Sequence, residues 1–506
     1  MKRYRHITRA IFGAILFLSV NLMLTFAPAY STLPPRGTDN PASVQNLPLI
    51  PRVQQLIELA LDPTSAAFQQ LAQADRLYLQ GQTAEAERIY RQVKADFPQH
   101  RSTQELPEPI TDPNQLSGAA RVYWREAQAG MEQNLETRIF VPLEKLVEDY
   151  PQFIPGHVLL AQALENYDRA EEALPILERA TTLYPDQPEL IGAQVEALAS
   201  AEKWLEASLA ARQFAVLYPE HPQAEELNAI ADETLDRYRS GIKRKLIGQT
   251  ILTGALSIGD YVLTGNAGGA VPALQITMML LQGESKFGDM FANAYRQQLP
   301  MVEDEMVVNY VNEVGQKMAR LMGRDEFEYE FFVIEDENLN AFALPGGKIF
   351  VNTGALLNIN SEAELAGLLG HEVAHAVLSH GYQRVVQGTL LSNLDRVVPM
   401  GDLVAALIGA AYSRKNERQA DILGSRALAN SNYAADGLRN LMVTFTELEE
   451  GRSRPPAWLS THPASSDRVE YLEELIQQNG YNRYAYEGVE SHAAIQARVK
   501  DITEES

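Results

Sequence analysis

Apolar and polar residues follow one another with a period that changes along this chain, and the changes divide it into regions. Ala10 to Phe26 is an uncharged, mostly apolar run behind Lys2, Arg3, Arg5 and Arg9, and Ala27-Pro28-Ala29 follows it. A basic end, an apolar run and an A-x-A site make residues 1–29 an export signal rather than part of a fold. The run also sits at the lower limit of a membrane span, so an uncleaved signal anchor is the competing reading. In either form the body of the protein is exported. Residues 30–66 hold many prolines and few periodic apolar positions, which predicts a Pro-rich linker.

Residues 67–239 take up a helical period. Pro151, Pro185 and Pro219 are evenly spaced at 34 residues, each preceded by a tyrosine, Tyr150, Tyr184 and Tyr218. Ala173 and Ala207 keep that spacing, as do Leu183 and Leu217. Helix, turn and helix closing at proline over this length is the tetratricopeptide period. An earlier unit fits around Gly81 to Ala86, Tyr90 and Phe97-Pro98, with the Pro-rich Leu106 to Pro113 supplying an insertion. Such helix pairs stack into a solenoid whose groove takes a peptide or partner protein; a purely architectural spacer is the alternative.

An apolar, Gly-rich segment, 240–284, comes next. From Leu246 to Gln282 the only charge is Asp260, and Gly265 to Gly269 divides the stretch into pieces too short to cross a bilayer alone. Short buried or membrane-surface helices are expected, with a peripheral membrane contact as one consequence; a re-entrant hairpin is the alternative. Gln298 to Gly323 then reads as an amphipathic helix on Val307, Val308, Val311 and Val314. Glu328 to Ile334 reads as a strand, and Ala341 to Leu344 with Lys348 to Val351 as a hairpin around Pro345-Gly346-Gly347. Ser361 to Gly381 reads as one helix, opened by a capping box from Ser361 to Glu364 and closed at Gly381. The segment from Val385 to Tyr412, with apolar Leu403 to Ala411, is read as a lid.

That last helix carries His371, Glu372 and His375 in the order H-E-x-x-H. Histidines at i and i+4 lie on one helix face, at a spacing that lets both imidazoles reach one zinc ion, with Glu372 beside them to take a proton from water. A catalytic zinc needs a third protein ligand. The chain has no cysteine, so histidine and carboxylate must supply it. Glu417 is the candidate, and Asp421, four residues on, can accept the free ring N–H of a ligand histidine if this stretch is helical. Without the H-E-x-x-H nearby, Glu417 and Asp421 would read as a solvated charged face. His380, five residues past His375, would point about 140° away from it on a continuous helix and reads as structural or exposed.

With these motifs in place, residues from about Gln298 to Leu475 resemble the gluzincin peptidase family that includes HtpX, BepA, LoiP and the CAAX prenyl protease. The resemblance rests on Asn340 to Gly347, Glu364-Leu365-Ala366, His371 to His375, Glu417 to Asp421, and Ser460-Thr461-His462-Pro463 with Arg468. It implies that His371, His375 and Glu417 hold one Zn2+ per chain and that Glu372 is the general base. It places His462 near the metal and leaves two roles open there, donor to the oxyanion or latch on the open zinc position. Arg468 is expected to fix the local backbone and a carboxylate. An extended edge at Asn340, Ala341, Phe342 and Ala343 can pair with a substrate backbone, and the resemblance favours this over a hairpin that merely packs the helix.

The expected fold is therefore mainly α: a tetratricopeptide solenoid, then an α+β gluzincin metallopeptidase domain with a small sheet at 285–480 and a C-terminal tail at 481–506. A net charge of −23 with no compensating basic stripe argues against nucleic acid as a partner. The functional expectation is an exported zinc metalloendopeptidase of the periplasm or an equivalent envelope compartment. It would act on unfolded or misassembled proteins, with the helical array recruiting substrate or a partner. The rivals are a chaperone or assembly scaffold with little proteolysis, and a membrane-embedded processing peptidase.

Overall fold

The computed structural model describes residues 63–97, 107–252, 270–391, 397–399, 407–409, 411–450, 457–463 and 466–505. The expected signal segment, nearly all of the linker and much of the expected lid lie outside the described residues. What is described is mainly helical.

Helices α1 (Ala66–Leu79) and α2 (Thr83–Val93) form a first hairpin. A second series follows: α3 (Gly118–Gln133), α4 (Glu136–Asp149), α5 (Ile154–Asn166), α6 (Ala170–Leu183), α7 (Pro188–Ser200), α8 (Trp204–Leu217) and α9 (Ala224–Leu252), each packed on the next. The 34-residue spacing has a local cause here. Tyr150, Tyr184 and Tyr218 are the C-cap residues of α4, α6 and α8, and the proline after each does not continue a helix. Ala173 and Ala207 are fully buried, small enough to let neighbouring helices approach.

The first hairpin does not extend this series, which corrects the expectation of one array over 67–239. Buried Asp75 accepts the backbone N–H of Glu487 (2.9 Å) and Val489 (3.0 Å) and the hydroxyl of Tyr90 (2.6 Å). The Lys94 ammonium donates to Asp436 (2.6 Å), to the Arg483 carbonyl (2.5 Å) and to Glu487. A buried carboxylate and a buried ammonium need such partners, and the chain offers them at 436–489 rather than on the next helix pair. Helix α9 likewise runs through the boundary drawn at 239 and carries helix into the apolar segment.

Beyond it come β1 (Ala270–Pro272), α10 (Ala273–Leu281), α11 (Glu284–Arg296) and α12 (Glu305–Arg320). Strands β2 (Glu330–Ile334), β3 (Ala341–Leu344) and β4 (Lys348–Asn352) form a sheet of order β2-β4-β3, with β4 parallel to β2 and antiparallel to β3. The β3–β4 turn uses Gly346 and Gly347 at φ 76° and 83°, a left-handed conformation that glycine adopts without steric cost. Then follow α13 (Thr353–Asn358), α14 (Glu362–Val377), α15 (His380–Leu391) and β5 (Val397–Pro399), which pairs antiparallel with β1. The chain closes with α16 (Arg414–Ala429), α17 (Gly437–Glu450), α18 (Ala457–Thr461), α19 (Ser466–Gln478) and α20 (Val489–Glu505).

Helix α14 is buried along its whole length, between α12, the sheet, α16 and α17. Its core takes in Val307 and Val311 of α12, Ile349 and Val351 of β4, and also Leu205 and Leu209 of α8 and Leu235 of α9. The helical series and the region around α14 therefore share one core and are not joined by a loose tether. The expected C-terminal tail is corrected too. Helix α20 buries Ile495 and Val499 in the same core, and His492 donates Nε2–H to the Leu356 carbonyl (3.0 Å) while its Nδ1 accepts from the Tyr310 hydroxyl (2.9 Å). Among the described residues no helix is long and apolar enough to cross a membrane.

Candidate active site

Helix α14 starts as its cap residue predicts, with Ser361 Oγ accepting the Glu364 N–H at 3.2 Å. The reciprocal half differs: the Glu364 carboxylate accepts the backbone N–H of Asn360 (3.0 Å) rather than of Ser361. The far end differs more. Helix α14 stops at Val377, before the expected Gly381, because Ser379 takes a left-handed φ of 53° and turns the chain into α15. His380, the first residue of α15, is thereby folded back, buried, with Nδ1 2.9 Å from Nδ1 of His375.

Helix α16 crosses α14 where Gly424 faces Gly370 and His371. A Cβ on Gly424 would lie 3.3 Å from the Gly370 carbonyl carbon and from the His371 nitrogen, so only glycine fits this crossing without displacement. Ser413 caps α16 by accepting the Asn416 N–H (3.2 Å). The crossing brings Glu417 and Asp421, one turn apart on α16, to the histidines of α14.

His371, His375, Glu417 and His462 form a buried group whose ligand atoms all lie within 4.8 Å of one another. His371 Nε2 is 3.1 Å from His375 Nε2 and 3.2 Å from His462 Nδ1. Glu417 Oε1 is 3.0 Å from His462 Nδ1 and 3.4 Å from His375 Nε2, and Glu417 Oε2 is 3.5 Å from His371 Nε2. Ligands about 2.0–2.1 Å from a tetrahedral zinc are about 3.3 Å apart, so this donor set fits zinc. Nitrogen and carboxylate donors with no sulfur suit the same ion.

The supporting contacts are as specific. His371 Nδ1 is 2.9 Å from Asp421 Oδ1, which orients the ring. Asp421 in turn accepts from Arg468 (2.6 and 2.9 Å) and from the Tyr471 hydroxyl. Arg468 also pairs with Glu417 (2.9 Å) and donates to the Pro463 carbonyl (3.2 Å), so it ties the backbone after His462 to both carboxylates. Burial alone would raise both carboxyl pKa values. His462, His371 and His375 instead hold Glu417 far below its ordinary range, and Arg468 and His371 hold Asp421 down. Burial pushes His371 down, but Asp421 and Glu417 outweigh it and lift the ring to about 9, whereas burial keeps His375 well below the usual histidine value.

Glu372 is fully buried beside this group. Its Oε1 accepts the indole N–H of Trp458 (2.8 Å) and lies 3.6 Å from His462 Nε2, while Oε2 has no hydrogen-bond partner among the described residues. A buried carboxylate oxygen left open next to a metal-binding cluster is placed to handle a proton. Trp458 also stacks on His462, with ring centroids 4.7 Å apart and planes at 16°. Tyr412 stacks on His375 at 3.9 Å, and its N–H donates to the Thr461 carbonyl (3.1 Å). Sequence reading missed Trp458, Tyr412 and the His375–His380 contact. The one available hint was a rare tryptophan four residues before His462.

Asn340, Ala341, Phe342 and Ala343 lie at the sheet edge. Strand β3 pairs with β4 on one side, and among the described strands none pairs on the other. Asn340 accepts the Asn352 N–H (3.0 Å), and Phe342 stacks on Phe350 at 5.1 Å. Helix α14, which carries His371 and His375, packs on β3.

Comparison with known proteins bears on the same stretch. Residues 306–476 match peptidase family M48. A protein of Vibrio cholerae serotype O1 named putative beta-barrel assembly-enhancing protease is 26% identical over 219 residues, 40% of this chain and 45% of that protein. Metalloendopeptidase OMA1, mitochondrial, of Bos taurus is 32% identical over 193 residues, 34% of this chain and 36% of the relative. Mitochondrial metalloendopeptidase OMA1 of Arabidopsis thaliana is 27% identical over 266 residues, 51% and 52% of the two chains. The chain spans about half or less of the length of these curated relatives. The stretch that matches peptidase family M48, residues 306–476, is thus the same stretch that gathers His371, His375, Glu417 and His462 into one buried donor set fit for a zinc ion.

Proposed function

We propose that this protein is an exported zinc metalloendopeptidase that cleaves misfolded or misassembled proteins of the cell envelope. The observation that carries the reading is the open Oε2 of buried Glu372 beside four converging donors. In this reading His371, His375 and Glu417 hold the ion. Asp421 takes the Nδ1–H of His371, and His380 Nδ1 takes that of His375, so both rings present Nε2. The chemistry zinc supplies in such a site is Lewis-acid polarisation of a carbonyl and acidification of water. Glu372 Oε2 removes the proton from the attacking water and returns it to the leaving amine, while Trp458 holds Oε1 still.

His462 supports a resting state with little proteolysis. Its Nδ1 occupies a corner of the donor set, so it acts as a latch that withdraws before substrate enters. The edge of β3 that no described strand pairs with then takes the substrate backbone through Asn340 to Ala343, leaving side-chain preference broad. Helices α3–α9 act as a tetratricopeptide-like array that recruits substrate or a partner protein, and the apolar segment after α9 makes a peripheral membrane contact.

Metal analysis together with casein digestion tests the enzymatic reading. Wild type should bind about one zinc and cleave; Glu372→Gln should keep the zinc and lose cleavage by at least about a hundredfold. Equal cleavage by both would end the proposal and favour a scaffold with a structural metal.

A further inference from the structure

A cavity of about 400 Å³ lies where α9, α10 and α11 meet, and none of His371, His375 and His462 lines it. Leu246, Leu280, Phe327 and Tyr382 form an apolar wall. The charged lining is unbalanced: Arg239, Lys243, Lys286 and Arg324 against Glu284 and Glu326, four cations to two anions. Both anions are engaged within the wall. Glu284 accepts from Ser379 (2.6 Å) and lies 3.5 Å from Arg324, and Glu326 pairs with Arg324 (2.6 Å) and Arg239 (3.0 Å). Lys243 and Lys286 are exposed, and among the described residues neither has an ion-pair partner. In a chain of net charge −23 this is a local reversal of sign.

The surroundings add a second observation. Arg244 and Lys245, also exposed, follow Lys243 directly, and the apolar run with its single charge begins at Leu246. Two of the large apolar side chains left in solvent, Ile247 (40% exposed) and Met278 (43%), are on α9 and α10, the helices that frame the cavity. A basic cluster beside solvent-facing apolar side chains and an apolar cavity matches an anionic lipid in a bilayer: phosphate to the lysines, hydrocarbon to the wall. A soluble phosphate would use the lysines and leave the apolar wall wet. An acidic peptide would have no partner for its backbone amides among the wall residues Leu246, Leu280 and Phe327.

We propose that this cavity binds an anionic phospholipid of the membrane surface, with its phosphate at Lys243 and Lys286 and an acyl chain against Leu246, Leu280 and Phe327. The site deepens the peripheral membrane contact proposed above and does not depend on the hydrolytic reading.

The absence of cysteine allows a local probe. The full chain carrying Met278→Cys, labelled with bimane, is mixed with phosphatidylcholine vesicles containing either doxyl-labelled phosphatidylglycerol or doxyl-labelled phosphatidylcholine. Quenching by the anionic lipid is expected at much lower lipid concentration than by the neutral one. Lys243→Gln with Lys286→Gln should weaken it about thirtyfold at low salt, at about fivefold per lysine. Glycerophosphoglycerol, the headgroup without chains, should not compete. Equal quenching by both lipids, an unchanged response in the double variant, or full competition by the headgroup alone would each overturn the proposal. Casein cleavage in lipid-free buffer should be unchanged in the double variant, so failure here and failure of the peptidase reading are separate results.

Discussion

Trp458 donates its indole N–H to Glu372 Oε1 across 2.8 Å, joining the segment that carries His462 to the residue proposed as general base. The same indole stacks on His462, so one side chain orients the base and supports the latch. Trp458→Phe keeps a ring on His462 and removes the donor, leaving Glu372 with both oxygens free to rotate. The expected result is a fall in kcat of about 10- to 100-fold, the cost of one lost buried hydrogen bond to a charged group, with KM and zinc content little changed. Steady-state kinetics on a quenched fluorescent peptide would read it; an unchanged kcat would remove Trp458 from the machinery.

His462 contributes a donor atom 3.0 Å from Glu417 and 3.2 Å from His371. If that contact closes the site, His462→Ala should raise casein cleavage several-fold and lower resistance to chelators, since one donor is gone. A fall in kcat with chelator resistance unchanged would instead identify an oxyanion donor.

Burial raises the Glu364 carboxyl pKa from 4.5 to about 7, against the hydrogen bonds from Asn360 and Thr444. Between pH 4.5 and 7 the folded chain therefore holds a proton that the unfolded chain has released. Stability falls as pH rises through this window and levels off above it, a contribution on the order of 3 kcal/mol. Glu284 behaves alike, so a variant at one position should remove only part of the slope. Glu364→Gln should flatten the dependence between pH 5 and 7 in urea denaturation; a slope identical to wild type would refute the assignment.

Lys94 bridges Asp436 and Glu487 in a buried group that holds the first hairpin to the C-terminal region. Replacing it with alanine strands two carboxylates, although Arg483 still pairs with Asp436 at 3.0 Å. A loss of about 3 kcal/mol is expected, the usual scale for removing one partner of a buried ion pair. Lys94→Ala should also expose the α1–α2 hairpin to protease before the rest of the chain. Unfolding and cleavage indistinguishable from wild type would show that the hairpin is held by other contacts.

Local order sufficed for much of this protein. The i, i+4 spacing of His371 with His375 and of Glu417 with Asp421, the Ser361 cap, the Pro-Gly-Gly turn and each Tyr-Pro helix end depend on neighbours within one or two helical turns, and such features are written in a sequence directly. Tertiary structure alone decided the rest. Trp458 meets Glu372 across 86 positions, and Asp75 meets Glu487 across 412. His380 turns back on His375 because one serine adopts a left-handed φ, and α20 is core rather than tail because Ile495 and Val499 find a surface built from distant helices. These pairings have no period to read. They exist because buried polar groups must find partners and apolar faces must be covered, wherever along the chain the partner happens to lie.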